Sequence, residues 1–211
     1  MSGRFIALEG GEGAGKSTQA RLLADALRAR GLSVVLTREP GGTPGAEAIR
    51  SLLLHPPHEG WGAQAEALLF AAARADHVEK LIRPALAEGK WVICDRFIDS
   101  TRAYQGGGGG LSDADILALH RVGSGGLLPD LTILLEVPPN VAEARLQARD
   151  GDASDAIGGR DAAYHARVAA RFAQLAQAEP DRFARPRTTG TREETHEQII
   201  AALAPLLERA A

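Results

Sequence analysis

The sequence predicts an α/β fold of three layers, with helices on both faces of a five-stranded parallel sheet and a short lid. Short apolar runs alternate with longer helical patterns, and this alternation is typical of parallel sheets buried on both faces. A glycine-rich segment directly follows the first apolar run, as in folds that bind ligands beyond the carboxyl ends of their strands. The 211 residues fit one domain, 1–211, because no linker or internal repeat divides them.

Five apolar runs supply the predicted strands, at residues 5–8, 33–37, 91–94, 131–135 and 182–187. Helical patterns lie near residues 16–30, 44–54, 63–88, 112–122, 139–149, 161–178 and 192–209. In the first helix, Leu23 and Leu27 share one face, and Gly31 is a common C-terminal stop. Ser112 predicts the N-cap of the fourth helix, since Asp113 and Asp115 follow in its first turn.

Two segments lack a regular pattern. Residues 106–110 are five consecutive glycines, a composition that favours a flexible surface loop. Residues 150–159 are mostly small or polar and lie between two helical patterns, which indicates a loop. We expect the lid at approximately residues 149–161.

The glycine-rich segment matches the phosphate-binding pattern G-x-x-x-x-G-K-[ST] in full. Its residues are Gly10, Gly11, Glu12, Gly13, Ala14, Gly15, Lys16 and Ser17, followed by Thr18. Glycines allow the backbone to curl so that several N–H groups face one anion, and the following helix adds its positive N-terminus. Lys16 can reach the β- and γ-phosphates, and the Ser17 hydroxyl can bind Mg²⁺. The sequence therefore predicts a P-loop that binds ATP.

Composition narrows the class of protein. The formal net charge of −3 gives no basic field of the kind that nucleic-acid binders carry. A single cysteine, Cys94, excludes an internal disulfide and fits a reducing compartment. We find no signal-peptide pattern and no apolar run of roughly 20 residues, so we expect a cytoplasmic protein without a membrane or nucleic-acid partner.

Charged residues follow two further strands at the edge of the sheet where the P-loop is expected. Asp95 follows the third apolar run, where P-loop enzymes hold Mg²⁺, although a strand-end aspartate can also simply cap a turn. Arg38 and Arg96 follow the second and third strands, and each alone fits an ordinary surface arginine. Together, beside a P-loop, they favour a second phosphate site, because guanidinium binds phosphate in a bidentate manner.

Three segments resemble bacterial thymidylate kinases, and the similarity covers nearly the whole chain. The most specific are Thr37-Arg38-Glu39-Pro40-Gly41-Gly42-Thr43 and Asp95-Arg96 with Ser100 and Ala103-Tyr104-Gln105-Gly106, added to the P-loop from Glu9 to Thr18. Shorter similarities lie at residues 50–54, 69–74 and 129–132. The resemblance implies a P-loop NTPase fold, a typical homodimer, and phosphorylation of dTMP to dTDP with Mg-ATP in dTTP biosynthesis.

The resemblance also implies a role for each residue of the acceptor site. Arg38 and Arg96 would bind the 5′-phosphate of dTMP, Phe70 would stack on thymine, and Arg74 would donate to thymine O4. Tyr104 would crowd the sugar 2′ position, and Glu12 would reach toward the sugar. The base would also be contacted by Ser100, Thr101 and Gln105. Periodicity alone would place Phe70 in the core, but Arg74 at i+4 adds a cation to the same helix face.

The implied reaction needs no general base, because a phosphomonoester with a second pKa of about 6 is largely dianionic at neutral pH. Catalysis would consist of positioning and charge neutralisation by Lys16, Mg²⁺ and arginines. The P-loop has no arginine of its own, and in this family the lid then supplies one. Arg149 is the first candidate by position and Arg160 the second, while Arg145 matches a position that stacks on adenine. Each also fits a solvated helix face.

The lid departs from the family pattern. Family members often carry Asp-Arg-Ile/Phe-Glu, where this chain has Asp155-Ala156-Ile157-Gly158. Either Arg149 suffices, or Arg160 has taken over, or the lid arginine is weakened.

Two other functions remain open. A kinase for another nucleoside monophosphate would keep the P-loop, although Phe70 and Arg74 argue against it. A nucleotide-binding switch would be expected to show an Asn-Lys-x-Asp segment after a strand, which this sequence lacks.

Overall fold

Five parallel strands form one sheet in the order β2-β3-β1-β4-β5. The strands are β1 (Arg4–Glu9), β2 (Val34–Arg38), β3 (Trp91–Asp95), β4 (Leu131–Leu134) and β5 (Phe183–Ala184). The computed structural model describes residues 3–56, 60–150 and 156–208, without the side chains of residues 149 and 150. The predicted α/β fold with a five-stranded parallel sheet is confirmed, although β5 is shorter than the predicted run of 182–187.

Ten α-helices are present among the described residues. They are α1 (Lys16–Ala29), α2 (Pro44–Leu54), α3 (Ala63–His77), α4 (Arg83–Ala87), α5 (Ile98–Thr101), α6 (Asp113–Ser124), α7 (Pro139–Asp150), α8 (Ala162–Ala178), α9 (Arg192–Ala202) and α10 (Ala204–Glu208). Wider π-helical turns at Val78–Ile82 join α3 to α4, and a second such segment, Arg102–Gly108, continues α5. The Ser112 side chain accepts a hydrogen bond from Asp115 N at 3.1 Å, which confirms the predicted N-cap of α6.

The central strand β1 is buried on both faces because its alternate side chains enter two different cores. Ile6 and Leu8 pack with Leu23 of α1 on one face, together with residues of α9. Phe5 and Ala7 pack on the other face with residues of the α3–α4 connection and the segment after β3. This arrangement explains why the strand is a continuous apolar run rather than an alternating one.

Strand register aligns the carboxyl ends of three neighbouring strands. Asp95 at the end of β3 lies opposite Leu8 of β1 on one side and Arg38 of β2 on the other. The P-loop leaves β1 one residue after Glu9. The topology therefore brings the P-loop, Asp95 and Arg38 to one edge of the sheet.

The glycine run differs from its prediction. Gly106, Gly107 and Gly108 belong to the π-helical segment rather than to a loop; Gly107 and Gly108 face α8, and Gly106 lies against Ile116 of α6. A Cβ atom at Gly107 would overlap Arg171, and one at Gly108 would overlap the ring of Tyr164. The flexible-loop prediction was wrong here, because close packing against α8 overrides the low helix propensity of glycine.

Candidate active site

The P-loop connects β1 to α1 and curls through backbone conformations that favour glycine. Gly10, Gly13 and Gly15 have φ angles of 137°, 69° and 91°. At Gly13, a Cβ atom would also lie 2.6 Å from the carbonyl oxygen of Ala142 in α7. A side chain at this position would therefore be strained in two ways.

Lys16 is held inside the P-loop at the start of α1. Its Nζ donates to the Gly11 carbonyl oxygen at 2.6 Å, and the residue is 6% exposed. Burial, followed by the nearby positive charge of Arg96, lowers the pKa of Lys16 to about 8. An anion bound in the loop would favour the charged form of Lys16 and so offset the effect of burial on its pKa.

Ser17 and Asp95 bring two oxygen atoms together beside the P-loop. The Ser17 hydroxyl donates to Asp95 Oδ2 at 2.5 Å. Hydroxyl and carboxylate oxygens suit Mg²⁺, which usually keeps several waters and takes its other ligands from substrate phosphates. The described residues include no cluster of three or more histidine, cysteine or acidic side chains that could enclose a metal ion. The donor set therefore fits a cation shared with a nucleotide rather than a structural metal site.

Arg96 lies at the centre of a group of hydrogen bonds in the cleft. Its φ angle is 72°, and it is the one non-glycine residue with positive φ among the described residues. Its Nη2 donates to Glu12 Oε1 at 2.6 Å and to the Tyr104 hydroxyl at 3.2 Å. Its Nη1 donates to the Gly10 carbonyl at 3.1 Å and to Ser100 Oγ at 3.1 Å. The guanidinium carbon also lies 5.0 Å from the centre of the Tyr104 ring. These contacts fix Arg96 against the P-loop before any ligand binds.

The turn that carries Arg96 is held from below by Glu9, which is fully buried. Glu9 Oε1 accepts from the backbone N–H groups of Phe97 at 2.8 Å and Ser100 at 3.1 Å, and Oε2 accepts from Ser100 Oγ at 2.6 Å. Burial, and then the negative charge of Asp99, raises the pKa of Glu9 to about 7. Glu9 thus ties the end of β1 to the start of α5.

Arg38 lies at the outer rim of the same edge. Its side chain is 56% exposed, and its Nη2 contacts both carboxylate oxygens of Glu47 at 3.2 and 3.3 Å. Arg38 and Arg96 both line a cleft of about 540 Å³, although the second is far more firmly held. The two strand-end arginines predicted to share an anion therefore face one space.

Phe70 and Arg74 line the inner part of this cleft, together with Thr101 and Gln105. Phe70 is partly buried at the edge of a core cluster. Arg74 is 2% exposed, and its Nη2 donates to Thr101 Oγ1 at 2.9 Å. Gln105 is 1% exposed and donates through Nε2 to Glu66 Oε2 at 3.2 Å. The residues predicted to contact a base are therefore gathered in one pocket.

Sequence reasoning missed the acidic and histidine partners of this pocket, namely Glu39, Glu66 and His77. A signal was available on α3, where Glu66, Phe70, Arg74 and His77 follow at spacings of four, four and three residues. Such a mostly polar stripe along one helix face indicates a buried polar site rather than a solvated face. The sequence alone did not show that Glu39 would meet this stripe from the end of β2.

The predicted donor-side arginines have different surroundings. Arg145 of α7 is exposed, and its Nη1 donates to the Gly13 carbonyl oxygen at 3.3 Å. Arg160 forms an ion pair with Glu66 and donates to the Tyr164 hydroxyl at 2.6 Å. The side chain of Arg149 lies outside the described residues. A second cavity, of about 290 Å³, lies beside the P-loop and is lined by Thr18, Arg145 and Thr191, among others.

Comparisons with known proteins agree on one family. A family model described as thymidylate kinase matches residues 8–199. A thymidylate kinase of Rhizorhabdus wittichii is 58% identical over 208 residues, covering 98% of this chain and 100% of the relative. A thymidylate kinase of Caulobacter vibrioides is 52% identical over 180 residues, covering 85% and 86%. A crystal structure of thymidylate kinase from Ehrlichia chaffeensis has a TM-score of 0.78 at 34% identity and covers 96% of this chain and all of that one.

Proposed function

The chain belongs to the thymidylate kinase family, and from that premise we propose how the residues of its cleft carry out the reaction. The protein phosphorylates dTMP to dTDP with ATP as the phosphoryl donor. One observation carries the assignment of roles: Lys16 of the P-loop, Arg96 of the β3 end and Arg74 of α3 all line a single cleft. This cleft can thus hold the donor phosphates, the acceptor phosphate and the base next to one another.

The acceptor phosphate is assigned to Arg96 and Arg38. Arg96 lies between the P-loop carbonyl of Gly10 and Tyr104, so a phosphate on its open side would also approach Lys16. The attacking atom is an oxygen of the dTMP phosphate, which is already ionised at neutral pH. The residues therefore need only to hold two anions close together and offset their repulsion.

The thymine site is assigned to Phe70 and Arg74, with Ser100, Thr101 and Gln105 at its border. The Phe70 ring can stack on the base, and a guanidinium can only donate hydrogen bonds, so Arg74 suits the O4 acceptor of thymine. Tyr104 is 5% exposed and packs between Arg96 and Phe172, which places a rigid ring close to the expected sugar position. Glu12, beside Arg96, is assigned to the sugar.

The donor phosphates are assigned to the P-loop backbone, residues 10–15, with Lys16, Ser17 and Thr18. Mg²⁺ would be held by Ser17 and Asp95, whose oxygens already lie 2.5 Å apart. When bound, it would supply charge neutralisation on the donor phosphates. Adenine is assigned to the second cavity, where Arg145 can stack on it.

The lid is assigned the remaining catalytic cation. Arg149, near the C-terminal end of α7, is the first candidate by its position in the sequence. Arg160 is the second, and it would have to leave Glu66 and Tyr164 to reach a phosphate.

A homodimer and a cytoplasmic location complete the proposal. Val122 of α6 is 87% exposed and Leu68 of α3 is 56% exposed, although α3 and α6 pack together. Such apolar side chains on a helix pair would suit a subunit interface. No helix among the described residues is long and apolar enough to cross a membrane. Analytical ultracentrifugation tests the dimer, and a Leu68→Glu and Val122→Glu double variant should sediment as a monomer.

A steady-state assay tests the substrate. We expect a clear preference for dTMP over CMP and AMP with Mg-ATP as donor, and dUMP as the nearest competitor. A preference for CMP or AMP would contradict the proposed base pocket.

A further inference from the structure

Arg74 is held from behind by a buried chain of polar side chains that the reaction itself does not require. We propose that Glu39 and His77 form a positioning pair that fixes the Arg74 guanidinium, and that this pair sets the preference for a base with a 4-oxo group. The inference rests on the proposed role of Arg74 in binding thymine. It concerns two residues that have no assigned contact with a substrate, although Glu39 also borders the cleft, and whose effect we attribute to Arg74.

Glu39 divides its two oxygens between two partners. Oε2 accepts from Arg74 Nε at 2.7 Å, and Oε1 lies 3.0 Å from His77 Nδ1. The Glu39 side chain is 4% exposed. A carboxylate removed from water in this way has to be matched by donors of fixed position, and here Arg74 and His77 supply them.

His77 closes the chain on the far side from the cleft. The residue is fully buried, and its Nε2 lies 2.8 Å from Thr37 Oγ1. An ionised carboxylate only accepts hydrogen bonds, so Nδ1 carries the proton toward Glu39. In the neutral ring, Nε2 then accepts from the Thr37 hydroxyl. Both ring nitrogens then have a partner, and the donors of Thr37, His77 and Arg74 all point toward the Glu39 carboxylate, which holds Arg74 from behind.

The cleft side of Arg74 is equally constrained. Nη2 donates to Thr101 Oγ1 at 2.9 Å and to the Phe97 carbonyl oxygen at 3.2 Å. The guanidinium carbon lies 5.2 Å from the centre of the Phe97 ring. Arginine normally has many rotamers, but here packing and hydrogen bonds leave its donors one direction into the cleft. A group held in this way loses little further freedom when it binds a ligand.

This rigidity has a consequence for specificity. A 4-oxo group accepts a hydrogen bond from the guanidinium, whereas a 4-amino group offers only further donors. A fixed Arg74 cannot turn away from a 4-amino base, so its donors would be buried without a partner. A loosely held Arg74 could turn away and tolerate both bases. The pair of Glu39 and His77 would therefore act on discrimination more than on turnover.

Two substitutions at His77 separate positioning from mere packing. The amide nitrogen of asparagine can take the place of Nδ1, whereas that of glutamine takes the place of Nε2. His77→Asn therefore keeps a donor for Glu39, and His77→Gln removes it. Dissociation constants for dTMP and dCMP are measured by titration calorimetry on the full-length protein, with kcat for dTMP and KM for ATP alongside.

We expect His77→Gln to weaken dTMP binding by about 10-fold, the loss typical of one hydrogen bond to a charged group. Binding of dCMP should change by less than about threefold, so discrimination falls, and KM for ATP should stay within about twofold. His77→Asn should restore most of the discrimination. Thr37→Val, which removes only the hydroxyl behind His77, should give a smaller loss of the same kind and serves if His77→Gln does not fold.

The result that overturns the proposal is an unchanged ratio of the two dissociation constants in both His77→Gln and Thr37→Val. Equal losses in His77→Asn and His77→Gln would overturn it as well, since packing alone would then account for them. Arg74→Lys keeps this failure distinct from failure of the proposed function. If Arg74→Lys lowers discrimination and the His77 and Thr37 variants do not, only the positioning role is wrong. If Arg74→Lys leaves discrimination unchanged, the thymine role of Arg74 is wrong.

Discussion

Arg74 and Arg145 both line the cleft, and the protein holds them in different ways. Arg74 is 2% exposed and is fixed by Glu39, Thr101 and the Phe97 carbonyl at 2.7 to 3.2 Å. Arg145 is exposed and reaches the Gly13 carbonyl at 3.3 Å. Arg74 belongs to what we call the acceptor half, formed by the β3 end, α3 and the segment after β3. Arg145 belongs to what we call the donor half, formed by α7 and the proposed lid at residues 149–161.

We propose that this difference reflects a division of roles between the acceptor half and the donor half. In the acceptor half, contacts within the protein have already removed the conformational freedom of Arg74 and Arg96, so we propose that dTMP meets a preformed site. In the donor half, Arg145 is exposed and Arg160 is paired with Glu66, and we propose that bound ATP orders both. Closure over the donor would then complete the site and exclude water, as lids do in other phosphoryl-transfer enzymes. The predictions below test this division.

The largest effect should come from a lid arginine. Replacing the catalytic one by alanine should lower kcat by roughly 10³-fold, the lower end for arginine fingers. We expect this loss in Arg149→Ala and a smaller one in Arg160→Ala, because Arg160 is paired with Glu66. Single-turnover kinetics would measure the chemical step. If both variants keep near wild-type kcat, the donor half supplies no catalytic arginine and the division fails.

Arg96→Ala should have the next largest effect. A hydrogen bond to a charged group typically contributes about 1.5 to 3 kcal/mol, which corresponds to about 10- to 160-fold in kcat/KM. Glu12 and Tyr104 lose their cation in this variant, and the acceptor phosphate loses its main ligand. Arg28→Ala, on the exposed outer face of α1, is the matched control and should change kcat/KM by less than about twofold. Equal values of kcat/KM in the two variants would argue against a role of Arg96 in binding the acceptor phosphate.

Arg145→Ala should have a smaller effect, confined to the donor. An exposed cation stacked on an aromatic ring contributes about 0.5 to 1 kcal/mol, so KM for ATP should rise by roughly two- to fivefold. KM for dTMP should stay the same, because the two halves bind their substrates through separate residues. A comparable rise in both KM values would mean that the halves are not independent.

The last prediction concerns the free energy of unfolding and leaves the kinetics aside. His120 of α6 lies against Phe97, with ring centres 5.6 Å apart, and its Nε2 contacts the Leu127 carbonyl at 2.7 Å. Burial, and then the positive charge of Arg74, lowers its pKa to about 4. In the unfolded chain, His120 therefore binds a proton below about pH 6.5, whereas in the folded protein it binds one only near pH 4. Folded stability falls as the pH drops through this window, by on the order of 2 kcal/mol between pH 6.5 and 5 from this residue.

Urea unfolding at pH 7.5 and pH 5 measures this change in the free energy of unfolding. His120→Gln keeps a donor for the Leu127 carbonyl but does not titrate, so the difference in unfolding free energy between the two pH values should shrink. If the unfolding free energy depends on pH in the same way in wild type and variant, burial does not lower the pKa of His120 and this prediction is wrong.

Local sequence signals indicate the P-loop more directly than the buried partners of Arg74. The P-loop is a contiguous pattern, and its link from strand to helix requires no long-range information. Glu39 and His77 lie 38 positions apart, and only the packing of α3 against the end of β2 brings them together. Glycines 106–110 were predicted as a flexible loop from their composition, but Gly107 packs against Arg171 and Gly108 against the ring of Tyr164, where a larger side chain would not fit. Tertiary contacts, not local preference, decided these cases.

A crystal structure with dTMP and a non-hydrolysable ATP analogue tests the central claim most directly. The account predicts that Arg74, Arg96 and Tyr104 stay within about 1 Å of their present positions, as in preorganised complexes. It also predicts that Arg74 donates to thymine O4 and that a lid arginine moves onto the donor phosphates. A base pocket that rearranges around dTMP while α7 and the lid stay in place would contradict the account.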